Sequence, residues 1–272
     1  MGRLFFFGCS YTQYLWPTWA DIIGQDSGKE YYNFGLPGLG NVGIMHRMVE
    51  ADLKYKFTKD DEIFVFWSSW CREDRVADGN WDVHGSVFNA GNPKYDIKFI
   101  RKYWDIDNDM VKNSTAIITA NKLYGDYITW QGSSFELGIN EASSTVYKET
   151  TKRLKAWYFQ HIPTMPVYEQ ELVDEYPFEV IEDCHPDTMM QLQMVKNLIY
   201  PALGREINPQ VAEKMSFIYR KLLKIAKSHN KKSVKIADIY EDFNEYLETN
   251  YPEMQKRKYT ECQIIPTEIP DF

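Results

Sequence analysis

Arg3-Leu4-Phe5-Phe6-Phe7-Gly8-Cys9-Ser10-Tyr11-Thr12 is the stretch on which the reading of this chain turns. A short apolar run ended by a glycine has the pattern of a strand buried on both faces. Directly behind it, a small hydroxyl residue stands where the chain turns toward a helix. Ligands of open α/β sheets bind beyond the carboxyl ends of the strands, so Ser10 lies where chemistry is done. A serine after a strand also serves to cap the next helix, and taken alone the cap is the stronger reading.

Working outward, Trp16-Pro17-Thr18-Trp19-Ala20-Asp21-Ile22-Ile23 spaces its apolar residues as a helix does, with Pro17 suited to a first turn and Gly24 to Gly28 ending it. Tyr31-Tyr32-Asn33-Phe34 reads as a second strand. The turn-forming loop Gly35-Leu36-Pro37-Gly38-Leu39-Gly40-Asn41 follows, and helical periodicity returns from residue 42 to about 56. Glu62-Ile63-Phe64-Val65-Phe66-Trp67 is a third buried strand, ending in Ser68-Ser69-Trp70. Strands alternating with helices imply a parallel sheet with right-handed crossovers. The fold class expected is therefore α/β: a three-layer, flavodoxin-like parallel sheet.

The next stretch, from Cys71 to about Asp109, has little periodicity and carries Trp81, His84, Tyr95, Tyr103 and Trp104. It reads as an aromatic-rich insertion, spanning about 71–112, over the carboxyl edge of the sheet. Asn113 to Tyr124 reads as a helix capped near Ser114 or Thr115. A fourth strand is either Tyr127-Ile128-Thr129-Trp130 or Ala156-Trp157-Tyr158-Phe159, and the pattern leaves both open. Glu179-Val180-Ile181 leads into Glu182-Asp183-Cys184-His185-Pro186-Asp187, and residues 188–200 form an apolar-striped helix. Gln210 to Lys227 is a helix with Val211, Met215, Ile218, Leu222, Ile225 and Ala226 on one face; another covers Asp238–Asn250, before an extended tail. The division expected is an α/β domain over 1–204 and a helical C-terminal extension over 205–272, which either packs on the core or mediates assembly.

Composition narrows the function. The chain has 272 residues, 44% of them hydrophobic and 15% aromatic, enough for a large core. A formal net charge of -8 argues against a general nucleic-acid binder. No apolar run approaches a membrane span, and no basic segment followed by an apolar one marks a secretory signal. Met1-Gly2 suggests myristoylation, but Phe6 stands where that signal needs Ser or Thr. Cys9, Cys71, Cys184 and Cys262 lack close-paired spacing, which suggests a reducing compartment, no disulfide frame and no metal site.

Two further motifs carry chemistry. In Asn33-x-Gly35-x-x-Gly38, a glycine after the second strand lets backbone N–H groups turn toward a reacting oxygen. His185 has Glu182 three residues before it and Asp183 two before, and a nucleophilic serine needs a base and a carboxylate to orient that base. His46, His84, His161 and His229 lack that combination and read as ordinary helix, loop or packing residues.

These motifs resemble the SGNH (GDSL-type) hydrolase family. Phe7-Gly8-Cys9-Ser10-Tyr11-Thr12 is similar to its first block, with cysteine for the usual aspartate; Asn33-Phe34-Gly35-Leu36-Pro37-Gly38 to its second; Glu182-Asp183-Cys184-His185-Pro186 to its last. The Asp-x-His-Pro spelling is closest to SGNH-like proteins of bacteriophages. The resemblance spans residues 1 to about 200 at three anchors. It implies ester hydrolysis through an acyl-serine, with no cofactor. Ser10 would be the nucleophile, His185 the base, Asp183 or Glu182 the orienting acid, and the N–H groups of Ser10 and Gly38 part of the oxyanion hole. The usual family spacing favours Glu182 and the phage-like spelling Asp183.

The family's third block, Gly-x-Asn-Asp, supplies an asparagine to the oxyanion after the third strand. Here that place reads Trp67-Ser68-Ser69-Trp70-Cys71-Arg72. Losing one such donor costs on the order of a hundredfold in rate, unless Ser68, Ser69 or Arg72 substitutes. Asn41, Trp70, Arg72, Trp81 and Trp104 are the substrate-contact candidates, since aromatic faces suit sugar rings. The expectation is an esterase acting on a small-molecule or glycan ester, with an O-acyl carbohydrate favoured, in the cytoplasm of an infected bacterium or on a virion. No nucleic-acid or membrane partner is expected, and homo-oligomer or virion assembly stays open. The alternative is a non-catalytic binding or virion structural protein that kept the fold. A further rival is the dinucleotide fingerprint in Gly38-Leu39-Gly40-Asn41-Val42-Gly43, disfavoured because no acid ends the next strand. A metal held by Cys9, Cys71, Cys184 and His185 is disfavoured by spacing.

Overall fold

The computed structural model describes residues 2–77, 80–88, 97–133, 152–153, 156–157, 160, 162, 181–183, 185–229, 231 and 233–255. Along the chain these form β1 (Leu4–Phe7), α1 (Trp19–Ser27), β2 (Tyr31–Asn33), α2 (Asn41–Tyr55), β3 (Glu62–Trp67), β4 (Arg72–Ala77), β5 (Asn80–Ser86), α3 (Ile97–Tyr103), α4 (Ile106–Tyr124), β6 (Ile128–Ser133) and β7 (Ile181–Glu182). Then come α5 (Thr188–Met194), which runs on through a π turn (Val195–Ile199) and a short helix (Tyr200–Ala202), α6 (Pro209–Ser228), β8 (Val234–Lys235) and α7 (Ile236–Asn250).

Every residue of β1 is buried because the strand lies inside the sheet. The order is β2-β1-β3-β6, and all three pairings are parallel. Successive side chains of a strand point to opposite faces, and here both faces are dry. Leu4, Phe6, Phe64 and Phe66 pack with Trp19, Ile22 and Ile23 of α1, Leu192 of α5, Met215, Ile218 and Leu222 of α6, and Phe243 of α7. Phe5, Phe7, Ile63, Val65 and Trp67 pack with Ile44 and Met48 of α2 and Ile117 and Ala120 of α4. The molecule is thus a three-layer α/β fold with a parallel central sheet, as the strand–helix alternation implied.

Several boundaries differ from the sequence reading. Helix α1 begins after Thr18, whose backbone N–H donates to the Asp21 carboxylate (3.0 Å), so Pro17 precedes the cap instead of opening the helix. Helix α4 begins at Ile106, seven residues before the expected Asn113; Asp105 caps it, accepting from the Asn108 N–H (2.9 Å). The acidic run 105–109 has the look of a loop, yet carboxylates in a first turn favour a helix N-terminus. Of the two fourth-strand candidates, residues 128–133 join β3, whereas Ala156 and Trp157 are helical; Tyr158 and Phe159 lie outside the described residues. Ile181 and Glu182 pair with Val234 and Lys235, not with the central sheet, and Glu179 and Val180 lie outside the described residues. Among the described residues no helix is long and apolar enough to cross a membrane.

Candidate active site

The chain leaves β1 through a turn that only glycine permits. A Cβ on Gly8 would stand 2.0 Å from the Thr12 hydroxyl and 2.9 Å from the Phe66 carbonyl oxygen. The N–H groups of Thr12 and Gln13 donate to the Cys9 carbonyl (2.9 and 3.1 Å), closing one helical turn around Ser10. The Thr12 carbonyl then accepts from the Thr18 hydroxyl (2.6 Å) and from Asn33 Nδ2 (2.8 Å), which anchors this turn to α1 and to the end of β2. Asn33 Oδ1 accepts from the Gly35 N–H (3.0 Å), and a Cβ on Gly35 would stand 2.7 Å from the Gln13 nitrogen. The first two motifs are therefore one packed unit. Ser10 within it is 3% exposed.

His185 arrives from the far end of the chain. Its Nε2 lies 2.9 Å from Ser10 Oγ, and its Nδ1 lies 2.7 Å from Asp183 Oδ1. The same carboxylate oxygen accepts the His185 backbone N–H (2.6 Å), and the other accepts the Tyr14 hydroxyl (2.7 Å). Burial by itself pushes the Asp183 carboxyl up; the hydrogen bonds from the His185 ring, its backbone and Tyr14 outweigh that and hold it below its ordinary value. The Tyr14 ring stacks on the imidazole (centroids 4.1 Å apart, planes at 27°), and Tyr11 meets it edge-on at 5.8 Å. The loop is tied back by Trp16 Nε1, which donates to the Pro186 carbonyl (2.8 Å), and by Gln191 Nε2, which donates to the Tyr11 carbonyl (3.3 Å).

Glu182 takes no part in this cluster. It is exposed, and its carboxylate accepts from the Ser233 hydroxyl. Neighbouring residues leaving a strand face opposite ways, so only one of the two acids can meet the imidazole. A carboxylate at Nδ1 keeps the proton on that nitrogen and leaves Nε2 as the acceptor for the Ser10 O–H.

The other candidates are differently placed. Gly38 has φ +86°, and a Cβ there would come within 3.1 Å of the Gly85 nitrogen, so the β4–β5 hairpin leans on the loop after β2. Ser68 is buried, and its N–H donates to Asn41 Oδ1 (2.7 Å). Ser69 Oγ accepts from the Cys71 N–H at 3.4 Å. Asn41 is itself buried, and its Nδ2 donates to the Ser68 carbonyl and to Asn113 Oδ1 (3.0 Å each), so that amide clamps the turn after β3. Trp70 is buried in the core on the α2/α4 face. Trp104 donates to Asp109 (2.7 Å) and packs edge-on against Phe88 at 4.8 Å. The Trp81 side chain and Cys184 lie outside the described residues.

Arg72 Nη1 donates to the Leu39 carbonyl (3.0 Å), and its buried Nε has no hydrogen-bond partner among the described residues. Burial pushes the Cys9 thiol up, but the Arg72 charge and the Tyr11 backbone bring it below its ordinary value. The guanidinium thus acts electrostatically on the residue beside Ser10.

The dinucleotide reading meets a physical obstacle. A dinucleotide would set its pyrophosphate on the N-terminus of α2. That place is taken by Asp74, whose carboxylate accepts the N–H groups of Gly40 (2.7 Å) and Gly43 (2.9 Å). The metal candidates are not tested as a set, because Cys184 lies outside the described residues. Tyr14, Trp16, Asp74 and Gln191 were not foreseen. Tyr14 partners an acid 169 residues away, a contact that no local pattern signals.

No family model matches this chain, and no curated protein matches it. Among solved structures it is similar to a member of the lipolytic G-D-S-L family from Veillonella parvula, at 15% identity and TM-score 0.41, covering 73% of this chain and 99% of that one. It is also similar to an acetylxylan esterase from Geobacillus stearothermophilus, at 10% identity and TM-score 0.40, covering 76% of this chain and 97% of that one.

Proposed function

We propose that this protein is a serine ester hydrolase of the SGNH type. The observation that carries the reading is the unbroken hydrogen-bonded chain Ser10–His185–Asp183 at the carboxyl end of the central strand. His185 Nε2 takes the proton as Ser10 Oγ attacks the ester carbonyl, and Asp183 supports the imidazolium that forms. The tetrahedral intermediate collapses to an acyl-serine, and the alcohol leaves with the proton from Nε2. Water then repeats the sequence on the acyl-enzyme and releases the acid.

The negative oxygen would be met by the N–H groups of Ser10 and Gly38. Arg72 would supply the third donor in place of the family's asparagine. Its buried Nε and its electrostatic influence on Cys9 support that role. For the substrate we favour an O-acyl group on a carbohydrate. A fluorophosphonate probe should label the wild-type protein at Ser10, and Ser10→Ala should remove the label. A folded wild-type protein that resists the probe would refute the reading and leave a binding module.

A further inference from the structure

Helices α6 and α7 form an antiparallel hairpin. Lys214 meets Glu253 (3.3 Å), Lys221 lies over the Tyr246 ring (5.2 Å), His229 Nε2 lies 3.7 Å from Asp242, and Lys231 meets Asp238 (2.8 Å). Those contacts run along the seam between the two helices, and other residues face outward. On α6 the exposed residues include Phe217, Arg220, Lys224 and Lys227; on α7 they include Tyr240, Glu241, Glu245 and Glu248. Arg220, Lys224 and Lys227 follow one another at steps of four and three, as do Glu241, Glu245 and Glu248. Each trio therefore forms one lane along its helix.

The signs are sorted between the helices. In sequence, α6 carries five basic residues and one acidic, whereas α7 carries five acidic residues and no basic one. Like charges three or four apart on a helix repel, so each lane is unfavourable by itself and mixing the signs would relieve it. In a chain of net charge -8 a basic lane also runs against the overall composition. Sorted lanes side by side suit a partner that presents the same two lanes in swapped order, and a second copy of this chain is such a partner. Phe217 and Tyr240, 54% and 51% exposed, flank the lanes and offer the aromatic contacts common at interfaces.

We infer that the outer face of the α6–α7 hairpin is a docking surface for a second copy of this chain. A two-fold axis parallel to the hairpin sets α6 of one copy against α7 of the other, and α7 against α6. Each of the two contacts then opposes three cations to three carboxylates, and the contact closes on itself as a dimer. A hairpin face about 20 Å wide and about 22 Å long is small, which corresponds to a weak, reversible dimer. Sedimentation of the full chain should show the mass rising toward a dimer with concentration in about 0.1 M salt. It should fall back in about 1 M salt, where the screening length drops from about 10 to about 3 Å. Reversing one lane should weaken self-association about tenfold or more. The basic lane is reversed by Arg220→Glu, Lys224→Glu and Lys227→Glu together, the acidic lane by Glu241→Lys, Glu245→Lys and Glu248→Lys together. The two reversed chains, mixed in equal amounts, should form a mixed dimer, and a chain with both lanes reversed should dimerise as wild type does. Unfolding cannot mimic either recovery. A wild type still monomeric at about 1 mM in low salt would overturn the inference. So would a dimer that survives high salt, a mass that grows past the dimer, or reversed chains that stay apart when mixed.

Discussion

Replacing Asp183 by asparagine tests the site at its least redundant point. Its two oxygens accept three hydrogen bonds, from the His185 ring, the His185 backbone and Tyr14. An amide NH2 facing Nδ1 at 2.7 Å would force the proton onto Nε2, so the Ser10 hydroxyl would meet a donor where it needs an acceptor. The imidazolium formed during attack would also lose its counter-charge. At about 4 Å between charge centres and an effective dielectric of about 20, that attraction is worth about 4 kcal/mol. At 1.36 kcal/mol per tenfold, this is about a thousandfold in rate, and the wrong tautomer takes the loss toward about 10⁴. We expect kcat on p-nitrophenyl acetate to fall about 10³- to 10⁴-fold with KM changed less than about threefold, because the interaction exists only in the transition state. Glu182→Gln should fall less than about twofold, since that carboxylate is exposed and meets only Ser233 among the described residues. Tyr14→Phe removes one hydrogen bond to a charged group and should cost about tenfold. Circular dichroism would check folding. A loss below tenfold in Asp183→Asn, or an equal loss in Glu182→Gln, would refute the assignment.

Other consequences are as direct. Arg72→Gln should lower kcat by about a hundredfold with little change in KM if the guanidinium meets the oxyanion, and Arg72→Lys should lie between; a purely structural Arg72 would lower the melting temperature and leave kcat intact. Asp61 is pushed up by burial but brought down to about 2 by hydrogen bonds from the Arg3 side chain and backbone and from Thr58. Its folded value lies below the unfolded 3.8, so it stabilises the fold above about pH 4 and loses that effect as pH falls toward 2. Unfolding free energies of wild type and Asp61→Asn from urea titration should therefore differ by up to about 2 kcal/mol at pH 7 and converge near pH 2; a gap that persists at pH 2 would count against the linkage. Leu222→Ala should cost about 2–5 kcal/mol in chemical denaturation, and a chain ended after Gly204 should not unfold cooperatively, because Met215, Ile218, Leu222 and Phe243 share one buried cluster with Leu4 and Phe6. A cooperative melt from the shortened chain would disprove that.

The sheet was legible because its strands are dry on both sides. Phe5–Phe7 and Ile63–Trp67 are continuous apolar runs, and that continuity marks inner parallel strands. Ser10 and His185 could be singled out because each sits beside a local marker, a glycine at a strand end and a proline shortly before a helix that Asp187 caps. Choosing between Glu182 and Asp183 was beyond the sequence, since it depends on which way one residue faces as it leaves a two-residue strand. Trp70, just before the aromatic insertion, misled for a related reason. Trp70 has the composition of a sugar platform, but burial is decided by tertiary packing, and it faces the core. Asp74 gave no signal at all: an acid in a polar stretch becomes the cap of α2 only once the hairpin folds over it.

The stretch after residue 204 does more than cover the core. The segment that delivers Asp183 is paired through β7 with β8, Glu182 is held by Ser233, and Asp187, which caps α5, is bonded by Tyr219 of α6. The loop carrying His185 is therefore fixed on one side by the Ser10 loop, through Tyr14 and Trp16, and on the other by the C-terminal elements. A serine and a histidine 175 residues apart must hold a 2.9 Å contact. Misplacement by about 1 Å costs on the order of a hundredfold in rate. Two-sided anchoring supplies that tolerance where a loop attached only to its own helix would not. On the esterase reading, activity and the stability of the C-terminal helices are coupled: changes that loosen α6 or the β7–β8 pair should lower kcat through His185 without touching the site.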